Sequence, residues 1–112
     1  MIKLETHSHI FGGSHCAKAD DDTFIKNYLS AGYQAVVITN HFVLKAFEKY
    51  IGDTDKEKLD FYFSLYDNMK AKLNKVGIKA FIGAEISCCT GEEYMLYGFD
   101  RSLFMITSCC LL

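Results

Sequence analysis

Proline is absent from all 112 residues, which is unusual for a loop-rich fold. No apolar run approaches the roughly 20 residues needed to span a bilayer. The N-terminal MIKLETHSH has neither the basic head nor the apolar stretch of a secretory signal. These absences point to a cytoplasmic protein. The five cysteines contain no C-x-x-C, and Cys88-Cys89 and Cys109-Cys110 are adjacent pairs, so neither a disulfide framework nor a zinc ribbon is indicated. The cysteines read as ordinary reduced thiols, used as small buried hydrophobes. Twelve basic and 14 acidic residues form no basic stripe, and nothing suggests a nucleic-acid surface. No repeat or low-complexity linker divides the chain, which suits one domain.

Half of the residues are hydrophobic and 14% are aromatic, which excludes disorder. Ile2 to Thr6 begins with apolar residues alternating with charged ones and reads as a strand. Asp20-Asp21-Asp22-Thr23 supplies capping oxygens and negative charge for a helix that Gly32 would stop. Ala35 to Thr39 is a short β-branched run of the kind buried on both faces of a parallel sheet. Asp55 to Val76 is the clearest helix, with Leu59, Tyr62, Phe63, Tyr66, Met69, Leu73 and Val76 on one stripe. The aromatic members of that stripe read as core. Ile78 to Ile86 is a third strand and Glu93 to Phe99 a fourth. Alternating strands and helices predict an α/β fold with mainly parallel strands.

The distribution of histidine is uneven. Three of the four lie between His7 and His15, the fourth is His41, and none follows. His7 and His9, at i and i+2 on an extended exit, project to one side. His15 lies beyond a Gly-Gly loop, His41 directly after the second strand and Glu85 at the end of the third. The carboxyl ends of parallel strands line functional sites in such folds, and all five residues fall near that edge. Imidazole with carboxylate suits Zn, Mn or Fe. Ring nitrogens facing away from a metal need partners, and Glu5 or Asn40 is placed to supply one.

These motifs resemble the PHP family, named for polymerase and histidinol phosphatase domains. The family's H-x-H after an apolar strand matches His7-Ser-His9. Its strand ending in T-D-H matches Thr39-Asn40-His41, with Asn40 where the family usually has Asp. Its G-x-E matches Gly83-Ala84-Glu85, and His15 matches a further family histidine. The resemblance covers roughly residues 1–100. It implies a distorted seven-stranded (β/α) barrel holding two or three divalent metal ions, and hydrolysis of small phosphorylated substrates by a metal-activated water. It implies that His7, His9 and Glu85 bind a first metal, that Glu85 bridges to a second, and that His15 and His41 bind a third. No protein nucleophile is required.

Family domains continue further, with more histidines and a late Asp-x-His. The resemblance therefore implies the N-terminal part of a domain, with residues 101–112 as an apolar, truncated or aberrant tail. Other readings stay open: a non-catalytic metal-binding fragment that associates with itself or with a missing C-terminal half, and a protein-tyrosine phosphatase or regulatory member of the family.

Overall fold

The computed structural model describes residues 1–14, 16–42, 51–87 and 92–99. His15, the paired cysteines and the tail from residue 100 onward lie outside these residues. In chain order the elements are β1 (Leu4–Ser8), α1 (Asp21–Ser30), β2 (Ala35–Ile38), β3 (His41–Phe42), α2 (Asp55–Lys75), β4 (Lys79–Ser87) and β5 (Glu93–Tyr97).

Both helices start and stop on local chemistry. Asp20 caps α1 by accepting from the Thr23 main-chain N–H at 2.8 Å. Thr54 and Glu57 form a reciprocal capping box at the start of α2. Each helix ends on a glycine with positive φ, Gly32 at 79° and Gly77 at 82°. The main-chain N–H groups of Gly32 and Tyr33 bond back to Leu29 and Tyr28, and those of Gly77 and Ile78 to Asn74 and Leu73. These are the paired bonds of a Schellman stop, which need a left-handed residue and hence favour glycine.

The sheet is mixed α/β in character and mostly parallel. β1 pairs with β2, β2 with β4, and β3 with β4, all parallel; β5 alone is antiparallel, against β4. β3 is absent from the sequence reading, which placed a loop there. Its pairing His41↔Glu85 continues the β2 pairing Ala35↔Lys79 in the same register, so β2 and β3 form one line along β4, interrupted at Thr39 and Asn40. A two-residue strand is too short to leave a periodic signal.

Both helices cover one sheet face. Phe24 of α1 meets Tyr66, Met69 and Leu73 of α2 over Val36, Ile38 and Ala80. A second cluster places Leu59, Tyr62 and Phe63 against Phe42 and Ala84. The stripe on α2 is buried from Leu59 to Leu73. Val76 departs from the expectation: it is the helix cap and is 39% exposed. The first strand also begins later than read, at Leu4, leaving Ile2 exposed. All four residues of β2 are buried, as its apolar run required. Among the described residues no helix is long and apolar enough to cross a membrane.

Leu73→Ala, at a fully buried position, should cost about 2–5 kcal/mol in urea unfolding, whereas Thr54→Ala should cost about 1 kcal/mol. The main-chain N–H bonded by Asp20 and those bonded by Glu57 hold both carboxyls below their ordinary values. Each therefore stabilises the fold above the ordinary carboxylate range, and that contribution is lost as pH falls through the depressed value. The doubly substituted Asp20→Ala, Glu57→Ala chain should be less stable at neutral pH. It should lose less stability than the parent between about pH 5 and about pH 3.

Candidate metal centre

The carboxyl edge of the sheet is tied together by buried polar residues. Thr39 is fully buried, and its Oγ1 accepts from the Ser8 N–H and donates to the Ser8 carbonyl, each at 3.1 Å. The Ser8 hydroxyl donates to the Val37 carbonyl at 2.7 Å. Asn40 Oδ1 accepts from the Ile10 N–H at 2.9 Å, and the Asn40 carbonyl accepts from the Tyr62 hydroxyl at 3.2 Å. These bonds lock the exits of β1 and β2 to each other and to α2.

A register shift in β1 decides where its histidines point. Glu5 pairs with Val36 and Ser8 with Ile38, so β1 spends one residue more than β2 between these pairs. Val36 and Ile38 face the helices. Glu5 and Ser8 therefore lie on that side, whereas an unbroken strand would put them on opposite faces. His7 and His9 are turned to the opposite face, where Glu85 stands. This separates Glu5 from the histidine rings. Its carboxylate instead accepts from the His7 main-chain N–H at 2.9 Å and from the Tyr28 hydroxyl at 3.4 Å. Burial and the Glu5 charge push that tyrosine up to about 12. The described contacts of Asn40 are likewise structural rather than to a ring nitrogen.

Glu85 is the centre of the arrangement and is 4% exposed. Its Oε2 lies 3.0 Å from His7 Nε2, 2.8 Å from His9 Nε2 and 3.6 Å from His41 Nδ1. The two Nε2 atoms are 3.2 Å apart. Burial pushes the Glu85 carboxyl up, but the His7 bond, the His41 charge and the His9 bond outweigh it, so the group titrates below its ordinary value. Burial and the charge of His41 hold His9 below its ordinary 6.5, against the pull of Glu85. At neutral pH a carboxylate thus faces an imidazole held neutral.

Of the expected ligands, the structure brings His7, His9, His41 and Glu85 together; His15 lies outside the described residues. The reading of the sequence passed over Cys16. Its Sγ lies 3.0 Å from His9 Nδ1 and 3.7 Å from His41 Nε2. Its place just past the glycine loop, beside His15, was the available signal. Two groups are therefore suited to an ion: His7, His9 and Glu85, and His9, Cys16 and His41. Donors sharing one ion lie about 3 to 3.5 Å apart at ordinary bond lengths; the first group lies within 3.2 Å, and the donors of the second lie within 4.8 Å of one another.

Comparison with protein-family models, curated proteins and solved structures finds no match.

A Cβ at Gly13 would fall 2.2 Å from Asn40 Nδ2. Gly13→Ala should therefore displace the loop that carries the site, costing about 1–3 kcal/mol in thermal unfolding. It should also weaken zinc binding measured by calorimetry.

Proposed function

We propose that this chain is the N-terminal part of a PHP-type metal-dependent phosphoesterase, one side of a distorted (β/α) barrel. In this reading His7, His9 and Glu85 hold a first divalent ion, Zn, Mn or Fe, and Glu85 also reaches a second. His15 and His41 serve a third. The observation that carries the reading is the approach of His7 Nε2, His9 Nε2 and Glu85 Oε2 to within 3.2 Å of one another. Three lone-pair atoms at such distances need protons or a cation between them, and the mixed nitrogen and oxygen set fits a borderline divalent ion.

When bound, such ions supply Lewis acidity and lower the pKa of water toward about 7. The chain's own residues prepare for this. Burial and the charge of His41 favour the neutral His9 imidazole that a metal binds, and Glu85, held below its ordinary value, supplies negative charge to offset a cation. The His7 side chain, 52% exposed, leaves the centre open to a phosphorylated substrate from solvent. The shift in β1 turns His7 and, just past the strand, His9 to the face where Glu85 stands.

A second reading has its own support. On the sheet face opposite the helices Leu4, Phe81 and Tyr97 are about half exposed, and the groove of about 630 Å³ that they line extends to Tyr66 and Lys70 of α2. An apolar face of that kind favours association, so a metal-binding chain completed by another copy or another segment is the alternative.

Elemental analysis and phosphate release separate the two. The phosphoesterase reading expects at least one ion per folded chain. It also expects phosphate release from a small monoester that is abolished by chelator and lowered more than about 100-fold in His9→Ala. A folded, metal-loaded chain that releases no phosphate, and sediments as an oligomer, would favour the second reading.

A further inference from the structure

We infer that Cys16 is a metal ligand, and that Cys16, His9 and His41 form a thiolate–imidazole site for a soft divalent ion, zinc above all. The inference shares His9 and His41 with the proposed function but does not need phosphoesterase activity.

Cys16 is exposed and belongs to neither apolar cluster, so packing does not account for its position. The loop around it is held from both sides. The Gly13 N–H bonds the Ile10 carbonyl, the Ala17 N–H bonds the Ser14 carbonyl, and Ser14 Oγ accepts from the His41 N–H at 3.1 Å. The last bond ties the loop directly to β3, beside the His41 ring. The rings of His9 and His41 stand 4.4 Å apart, tilted by 54°.

The nitrogens divide between two sides. His9 turns Nε2 to Glu85 at 2.8 Å and Nδ1 to Cys16 at 3.0 Å. His41 turns Nδ1 to Glu85 at 3.6 Å and Nε2 to Cys16 at 3.7 Å. The sulfur therefore meets nitrogens that the carboxylate side does not use. Coordination would replace the thiol proton, which passes to solvent. A thiolate with two imidazoles prefers zinc to manganese or magnesium, which favour oxygen donors. A neutral imidazole offers one lone pair, so the two sides compete for His9 and His41.

Cobalt(II) added to the full chain tests this, because a thiolate ligand gives a near-ultraviolet charge-transfer band that imidazole and carboxylate do not. The band should appear in the parent and in Glu85→Gln, be lost in Cys16→Ser, and be bleached by zinc but not by equimolar manganese. Visible cobalt absorption without the band overturns the inference and leaves the His7, His9 and Glu85 reading standing. A band that survives in Cys16→Ser, or no cobalt binding at all, also overturns it. The band in a chain without phosphate release upholds the thiolate site and removes the proposed activity. Should Cys16→Ser fail to fold, alkylation of Cys16 in the unaltered chain, read by peptide mass, should be slowed by zinc; equal rates with and without zinc would sink the inference.

Discussion

A carboxylate buried at the end of a β-strand is tenable only if polar partners replace the water it has lost. Glu85 meets that condition through imidazoles from two other strands, with His7 and His9 within 3.0 Å of a single oxygen. The rest of the carboxyl edge serves this contact. Thr39 and Ser8 join the strand exits, Asn40 holds Ile10, and the Tyr62 hydroxyl bonds the Asn40 carbonyl from below. Removing one partner from such a network costs more than the surviving bonds would suggest, because a buried polar group is then left unmet.

The sheet reaches this geometry by keeping one register and breaking another. Along β4 the register is held from Ala35 to Phe42, which sets His41 directly beside Glu85. Along β1 it slips by one residue, which turns His7 and His9 away from the helices. Gly83 permits the close approach at this edge, since a Cβ there would lie 2.7 Å from Thr39 Cγ2. The helix side and the site side do different work. The first carries the apolar clusters. The second carries the titratable groups and an apolar face left half open.

The helices and the buried central strand were legible because each rests on local signals, and the common edge of His7, His9, His41 and Glu85 because each lies at or just past the end of an apolar strand. Caps, glycine stops and a 3.6-residue stripe mark α1 and α2, and a β-branched run marks β2. Less legible were β3, the antiparallel course of β5 and the exposed end of the stripe at Val76. The role of Glu5 was also misplaced: alternation alone sets it beside the histidines, whereas the shifted register sets it beside Tyr28.

The order of strands and helices, and a set of imidazoles and a carboxylate at strand ends, follow from the sequence by itself, because periodicity and capping act over a few residues. Which atoms meet was decided only by the tertiary structure. The slip in β1, the matched register of His41 and Glu85, and the loop that carries Cys16 to two histidines depend on pairings between residues distant in the chain. No local pattern encodes those pairings, since each joins residues that only the folded sheet and its loop bonds bring together.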